Sequence, residues 1–247
     1  MNAYQKVEHL LQFVDQNMAE SKKEELDAAE VKKYVEAAWA RDVEKTLCAY
    51  IETPNQSPDY DPEIHTNGLQ EKAYKLLTDW VDKQNVTGLT MEVVHEKDRT
   101  PLVFIEVKGS IDSTVLMYGH FDKQPPLTAE WDKDLHPYKA IIKGDKLYGR
   151  GGADDGYAIF GAVMSIKALQ EQKKAHPRCC ILIEGSEESG SPDLMYYVDK
   201  LKDRIGVPKV VICLDSGCQN YDQLWMTVSL RGVFMAFLKA QLLTEGI

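Results

Sequence analysis

The sequence predicts an α/β fold, with a mixed, largely parallel sheet that helices cover on both faces. Short runs rich in β-branched residues alternate with helically periodic segments between residues 89 and 214. Two of these runs, Cys179–Ile183 and Val210–Leu214, are continuously apolar, which is typical of central strands buried on both faces. The composition, with 44% hydrophobic and 28% charged residues among 247, is that of an ordinary globular protein able to bury a sizeable core.

The N-terminal third of the sequence is predicted to be helical. Apolar residues from Val7 to Val14 recur at helical spacing. Two longer periodic segments follow, Ala28–Ile51 and Leu69–Gln84, and the first is expected to break near Trp39. The segment 53–63, TPNQSPDYDPE, lies between them and has the composition of a turn-rich loop.

Strands are predicted after this helical region. Leu89–Val94, Leu102–Val107 and Thr114–Tyr118 are short β-branched runs bounded by turn residues. The segment KAIIKGDKLYGR predicts a β-hairpin with Gly144-Asp145 at its turn.

Two helices and a further change of pattern complete the prediction. Gly156–Glu171 carries an apolar stripe at helical spacing, and Ser191-Pro192-Asp193 has the cap and proline that begin a helix. After Leu224, the segment WMTVSLRGVFMAFLKAQLL predicts two strand-like runs separated by Arg231-Gly232. The α/β assignment therefore rests on alternating elements along most of the chain.

Charge and cysteine content exclude several classes of function. The net charge of −10 disfavours binding to nucleic-acid phosphates and to anionic membranes. No apolar run approaches the roughly 18 residues of a membrane span, and the N-terminus lacks a signal-peptide pattern. We expect a cytoplasmic protein with free thiols, since no CxxC spacing occurs among Cys48, Cys179, Cys180, Cys213 and Cys218.

Acidic residues and one histidine follow four predicted strands. The carboxyl ends of strands in an open α/β sheet share one edge, where sites are built. We expect the cluster to need a cation, because adjacent carboxylates repel one another. The residues are His120 and Asp122, Asp154 and Asp155, Glu187 and Glu188, and Asp215.

Each motif also has a plainer interpretation. A lone His-x-Asp is compatible with a capped turn, and Glu187-Glu188 with a solvated loop at a helix start. GRGGADDG resembles a phosphate loop, but it lacks the third glycine and its aspartates would repel phosphate. Asp215 before Gly217 is compatible with a simple turn.

Taken together and in this order, the motifs resemble one known family. YGHFDKQP, GRGGADDG, EGSEESGS and LDSG look like the four signatures of the dizinc exopeptidases. That family includes carnosinase, cytosolic dipeptidases, glutamate carboxypeptidase, aminoacylase and succinyl-diaminopimelate desuccinylase. The resemblance covers about residues 102–247, and Trp225–Gly232 resembles the entry into the family's second, α+β lid domain.

The resemblance implies a set of metal ligands. His120 would bind one metal, Asp154 would bridge two, and Glu188 and Asp215 would be further ligands. The implied cofactor is Zn²⁺, two ions per intact subunit, with Mn²⁺ or Co²⁺ as alternatives. The peptide bond between Asp154 and Asp155 is expected to be cis.

The resemblance also implies catalytic roles. Glu187 would be the general base for a metal-bridging water, and Asp122 would orient the imidazole of His120. The implied function is hydrolysis of the amide bond of dipeptides or C-terminal residues, with the dipeptidase branch favoured by GHFDKQP and LDSG. Three alternatives stay open: an N-acyl amino acid amidohydrolase, a metal-binding or dimerising homologue without turnover, and a nucleotide-binding domain.

The implied domain organisation has two parts. Residues 1–222 would form the catalytic domain, and residues 223–247 the beginning of the lid domain, cut short. A further metal-binding histidine and the lid's His-Ser-Gly motif have no counterpart in this sequence, so we expect this polypeptide to be inactive by itself, and the full-length protein to be a homodimer. The remaining histidines are expected to be ordinary core or surface residues: His9, His65, His95, His136 and His176.

Overall fold

The computed structural model describes residues 26–234 and 236–241. Residues 24–217 form one compact unit, which holds every helix and strand of the described residues. The described residues from 218 onward belong to a second unit and contain no helix or strand. The two strand-like runs predicted after Leu224 are therefore absent from the described residues.

Five α-helices lie close to their predicted positions. The break predicted near Trp39 is confirmed, because a short π-helical stretch, Trp39–Val43, separates the first two helices. The predicted helical segment from Val7 to Val14 lies outside the described residues. The helices are α1 (Ala28–Ala38), α2 (Glu44–Ile51), α3 (Leu69–Lys83), α4 (Ala158–Glu171) and α5 (Leu194–Ile205).

Seven strands form a five-stranded sheet and a separate hairpin. The sheet has the order β1-β2-β6-β3-β7, in which β2 is antiparallel to both neighbours while β6, β3 and β7 are mutually parallel. The predicted hairpin is formed by β4 and β5. The strands are β1 (Leu89–Val94), β2 (Leu102–Val107), β3 (Ile111–His120), β4 (Ile141–Lys143), β5 (Lys146–Tyr148), β6 (Pro177–Glu184) and β7 (Val210–Cys213).

The position of β7 corrects one prediction. Val210–Leu214 was expected to form a central strand, but β7 pairs only with β3 and lies at the edge of the described sheet. All four of its residues are exposed. A continuous apolar run in the sequence indicates that a strand tends to be buried. It does not determine how many other strands pair with it, because that number depends on the rest of the fold.

The sheet separates two hydrophobic cores. One contains Val103 and Ile105 of β2 together with buried residues of α1, α2, α3 and α4. The other contains Leu102 and Phe104 of β2 together with Tyr197 and other residues of α5. Because successive strand residues point to opposite faces, β2 contributes to both cores, and the prediction of helices on both faces is confirmed. None of the described helices combines the length and apolar character needed to cross a membrane.

The pairing of β3, β6 and β7 brings three motif-bearing loops together. His120 pairs with Glu184, and Tyr118 pairs with Cys213, so the carboxyl ends of the three strands are level. The segments that follow each strand therefore begin side by side at one edge, as expected for parallel strands.

Gly119 offers a test of how tightly this edge is packed. A Cβ at Gly119 would lie 2.5 Å from the Ala158 Cβ and 2.5 Å from Asp155 Oδ2, whereas a Cβ at Gly161 on α4 would meet no atom within 4 Å. We expect Gly119→Ala to lower the free energy of unfolding by about 1–3 kcal/mol. We expect Gly161→Ala to raise it by about 0.5–1 kcal/mol, because alanine favours a helix interior. Urea unfolding followed by circular dichroism measures both, and equal effects of the two variants would contradict this packing.

Candidate metal centre

His120 is the centre of the cluster at the carboxyl edge of the sheet. It is the last residue of β3, and its side chain is completely buried. Its Nδ1 atom lies 3.3 Å from Asp122 Oδ1 and 3.1 Å from the Asp122 carbonyl oxygen. In the neutral imidazole, a proton on Nδ1 would be held by these acceptors, and Nε2 would then present its lone pair to the cluster.

Three carboxylates from three different loops surround the other ring nitrogen. His120 Nε2 lies 3.1 Å from Asp154 Oδ1, 3.6 Å from Asp215 Oδ2 and 3.8 Å from Glu187 Oε2. Donor atoms of His120, Asp154 and Asp215 lie within 4.8 Å of one another, and so do those of His120, Glu187 and Glu188. The structure thus brings together all four predicted ligands and the predicted base. Glu187, predicted only as a base, is also placed close enough to be a ligand.

Asp122 connects the histidine to the loop that carries the glutamates. Its side chain is completely buried. Oδ1 accepts a hydrogen bond from the backbone N–H of Glu187 at 3.1 Å, and Oδ2 accepts one from the backbone N–H of Glu188 at 3.0 Å. One carboxylate therefore fixes the imidazole and the 3₁₀ turn Glu187–Ser189 at the same time.

The Asp154–Asp155 peptide bond is cis, as predicted. Asp155 is buried, its Oδ2 accepts a hydrogen bond from the backbone N–H of His120 at 3.2 Å, and its Oδ1 has no hydrogen-bond partner. Asp154 is half exposed and faces the imidazole. The two neighbouring aspartates therefore have different environments, one supporting β3 and one facing the cluster.

Glu184 supports the site through hydrogen bonds, and the sequence did not single it out beyond its place near the glutamate pair. It ends β6 and is almost completely buried. Its carboxylate accepts hydrogen bonds from the hydroxyls of Tyr118 at 2.5 Å, Ser191 at 2.7 Å and Ser186 at 3.2 Å. Its carbonyl oxygen accepts from the Phe121 N–H at 2.8 Å. Glu184 thereby anchors both ends of the glutamate loop through Ser186 and Ser191, and its contacts with Tyr118 and Phe121 tie this loop to β3 and the segment after it, which lie too far along the sequence to predict.

The segment 50–57, predicted in part as a turn-rich loop, also supports the site. Tyr50 Oη and Asn55 Nδ2 each donate to the Phe121 carbonyl oxygen at 2.6 Å. Lys123 is completely buried, and its Nζ donates to the carbonyl oxygens of Tyr50 at 2.6 Å and Thr53 at 2.5 Å. The residues on either side of Asp122 are therefore both fixed by this segment.

The same segment reaches the glutamate loop. Ser57 N–H donates to the Lys123 carbonyl oxygen at 3.0 Å, and the hydroxyls of Ser57 and Ser189 lie 2.7 Å apart. Asp59 N–H donates to Ser189 Oγ at 2.9 Å. The segment predicted as a turn-rich loop is therefore also part of the support of the cluster.

Charge crowding changes the pKa values of the cluster. Burial lowers the pKa of His120, but the carboxylates of Asp122 and Asp154 outweigh it and raise the pKa to about 11. Burial and the charge of Asp154 raise the pKa of Glu188 to about 7, and burial raises the pKa of Asp215. The anionic forms of these carboxylates are therefore disfavoured without an added cation.

The residues present fit a divalent metal. Glu188 Oε1 is buried without a hydrogen-bond partner, which leaves an oxygen free to be a ligand. One imidazole and several carboxylate oxygens are donors that suit Zn²⁺, and they also suit Mn²⁺ or Co²⁺. Among the described residues, no other histidine joins such a group: His65, His95, His136 and His176 lie outside it.

Together, the fold and the site define a class of protein. A buried histidine with convergent carboxylates at the carboxyl edge of an α/β sheet is the kind of site that metal-dependent hydrolases carry. Residues 116–228 match Peptidase family M20/M25/M40. This part of the chain is similar to that peptidase family, and the resemblance inferred from the four motifs is confirmed.

Curated relatives carry peptidase names. The chain is 37% identical over 134 residues to the Homo sapiens protein "Beta-Ala-His dipeptidase", covering 51% of this chain and 24% of the relative. It is 32% identical over 136 residues to "Probable di- and tripeptidase DUG2" of Saccharomyces cerevisiae, covering 54% of this chain and 15% of that protein. The chain thus spans a quarter or less of the length of these two relatives.

Solved structures share the fold. Human carnosine dipeptidase 1 superposes with a TM-score of 0.63 at 23% identity, over 76% of this chain and 41% of that one. An M20 family metallo-carboxypeptidase from Sulfolobus solfataricus superposes with a TM-score of 0.60 at 26% identity, over 71% of this chain and 38% of that one. The predicted α/β fold, a mixed sheet with helices, is therefore confirmed.

Replacing Asp122 tests its double role. Asn at this position can accept a hydrogen bond through one atom only, so Asp122→Asn loses part of the support for His120 and the Glu187–Glu188 turn. We expect the affinity for Zn²⁺ to fall about 10- to 100-fold. Isothermal titration calorimetry measures the affinity, and Asp132→Asn, at an exposed position, is the matched control. Equal affinities for both variants would contradict the role of Asp122.

Stability should depend on pH in a direction set by the crowded carboxyls. Burial raises the pKa of Glu188 to about 7 and that of Asp155 to about 8, so the folded state holds more protons than the unfolded state between about pH 5 and pH 8. Stability of the metal-free protein must then fall as pH rises through this range, and the raised pKa of His120 acts in the same direction.

Thermal unfolding of the EDTA-treated protein between about pH 5 and pH 8 checks this expectation. We expect Tm to fall as pH rises, and the gain in Tm caused by Zn²⁺ to grow, because protons compete less for the ligands. Glu188→Gln should flatten the metal-free profile. A metal-free Tm that rises over this range would contradict the charge crowding.

Proposed function

We propose that this chain supplies the catalytic face of a metal-dependent peptidase that cleaves dipeptides or C-terminal residues. The observation that carries the proposal is the convergence of Asp154, Asp215 and Glu187 on Nε2 of the buried His120, at 3.1–3.8 Å. The relatives named as dipeptidases support a short peptide substrate. Because the chain spans only part of these relatives, the proposal concerns the full-length protein.

The ligands in this proposal are His120, Asp154, Glu188 and Asp215. They would hold two Zn²⁺ ions in the intact subunit, with Mn²⁺ or Co²⁺ as alternatives. Such ions, when bound, polarise a scissile carbonyl and lower the pKa of a nearby water. Asp122 keeps the imidazole of His120 oriented for binding.

Glu187 is proposed as the general base. Its backbone N–H is fixed by Asp122, and its carboxylate is partly exposed beside the cluster. Burial raises its pKa, which favours a carboxylate that takes a proton from the attacking water and returns it to the leaving amine. Glu188 differs because its Oε1 is buried and its Oε2 accepts a hydrogen bond from Gln124.

Two finer proposals rest on the sequence. The free thiols suit a reducing, cytoplasmic compartment, and the family resemblance implies a homodimer.

The second candidate function, hydrolysis of N-acyl amino acids, uses the same residues and differs only in substrate. The names of the relatives favour the dipeptidase function over it.

Glu187→Gln in the Zn²⁺-loaded full-length protein tests the proposal. We expect kcat on a panel of dipeptides to fall about 10²- to 10⁴-fold, because the base is lost. The panel includes N-acyl amino acids, so the ratio of kcat/KM values separates the two candidate substrates.

Metal content measured by mass spectrometry should stay near two ions per subunit in this variant. Glu130→Gln, at an exposed position, is the matched control and should keep full activity. A metal-loaded wild-type protein without turnover would favour the non-catalytic alternative. Unchanged kcat in Glu187→Gln would exclude Glu187 as the base.

A further inference from the structure

Arg150 lies on a loop whose backbone is tightly packed. Its neighbours are glycines with positive φ: a Cβ at Gly149 would lie 2.3 Å from Ile51 Cγ2, and a Cβ at Gly151 would lie 2.4 Å from Lys123 Cε. The loop therefore rests against α2 and against the buried lysine that supports the cluster. This packing fixes the point from which the side chain of Arg150 extends.

Arg150 differs from the other arginines of the compact unit. Each of the others forms an ion pair with a carboxylate: Arg41 with Asp42, Arg99 with Asp193, and Arg178 and Arg204 with Glu106. Arg150 forms no ion pair with any other residue in the described range 26–217, and its Nε is buried without a hydrogen-bond partner. A partly buried guanidinium without an acceptor is unusual and requires an explanation.

Two aromatic side chains accompany the guanidinium. Arg150 Cζ lies 5.8 Å from the centroid of the Trp131 ring. The hydroxyl of Tyr138 is also buried without a hydrogen-bond partner. Burial raises the pKa of Tyr138 to about 12 and the charge of Arg150 opposes this, so the phenol is a neutral donor within the field of the guanidinium. Two unsatisfied donors and an aromatic face thus occupy one region.

This region adjoins the metal centre. Arg150 and Asp154 are four positions apart on the same loop, with three residues between them, so their Cα atoms lie at most about 14 Å apart. A short peptide held at the cluster could place one end near Arg150.

We propose that Arg150 and the hydroxyl of Tyr138 bind a carboxylate of the peptide substrate, with Trp131 as the apolar wall of this subsite. The proposal rests on the proposed function and adds a specificity-determining residue to it. A guanidinium presents two parallel N–H donors that match a carboxylate, and a phenol supplies a third donor. Both unsatisfied groups would then gain an acceptor.

Equilibrium binding to the metal-free, full 247-residue chain tests the subsite without requiring turnover. The probes are N-acetylglycine, which has a carboxylate, and N-acetylglycinamide, which has none. The indole N–H of Trp131 donates to the Pro126 carbonyl oxygen at 2.9 Å, so its NMR signal reports on this region. Trp131→Phe identifies that signal by its loss.

We expect the wild-type protein to bind the acid at least about 10-fold more tightly than the amide. Arg150→Gln should weaken binding of the acid about 10- to 100-fold and leave the amide unchanged. Tyr138→Phe should weaken binding of the acid less than Arg150→Gln does. Arg150→Lys keeps the positive charge but loses the two parallel N–H donors, so its affinity for the acid should lie between those of the wild type and Arg150→Gln. Lys133→Gln removes one exposed charge from the same region and should change neither affinity.

Two results would overturn the subsite: equal binding of acid and amide by the wild type, or an acid affinity of Arg150→Gln equal to that of the wild type. Ordered water would then be the partner of the Arg150 guanidinium and the Tyr138 hydroxyl. In the metal-loaded full-length protein, Arg150→Gln should raise KM for a dipeptide about 10-fold or more but not for its C-terminal amide. Hydrolysis that is indifferent to Arg150 overturns the subsite alone. Acid-selective binding without any hydrolysis supports the subsite and overturns the proposed function.

Discussion

The buried carboxylate of Asp122 is the contact on which the site depends. It accepts hydrogen bonds from the backbone of Glu187 and Glu188 and lies beside Nδ1 of His120. Because β3 and β6 are parallel neighbours, their following loops start close together, and a single side chain can span them. The carboxylate of Asp122 therefore fixes the position of the His120 imidazole relative to Glu187 and Glu188.

This arrangement concentrates negative charge around a buried imidazole. Asp122 is completely buried, and Asp154, Asp215 and Glu187 all converge on the imidazole of His120. In such surroundings the proton that His120 retains is the nearest compensating charge, and a divalent cation compensates far more. Stability and metal binding are thus coupled: the cluster lowers the stability of the folded protein in the absence of a cation, and a bound cation restores that stability.

The support of the cluster comes from the N-terminal part of the compact unit. Tyr50 and Asn55 donate hydrogen bonds to the carbonyl oxygen of Phe121, and the buried Lys123 donates to the carbonyl oxygen of Tyr50 near the end of α2. Burial lowers the pKa of Lys123 well below its usual range. The Tyr50 ring, whose centroid lies 3.9 Å from Lys123 Nζ, and the nearby carbonyl end of that helix act in the opposite direction, because both favour a cation. Helices without chemical motifs of their own thereby help to set the geometry of the site.

The sequence by itself determined the alternation of elements, the limits of β1 and β2, and the residues that carry chemistry. These features are local: periodicity, turn residues and motif order are all readable along a few neighbouring positions. Only the tertiary structure decided that Glu184 and the segment 50–57 support the cluster, and that β7 lies at the edge of the described sheet. It alone also decided that Arg150 Nε is buried without a hydrogen-bond partner among the described residues. Each of these depends on contacts between residues far apart in sequence, and local patterns contain no information about which distant groups will meet.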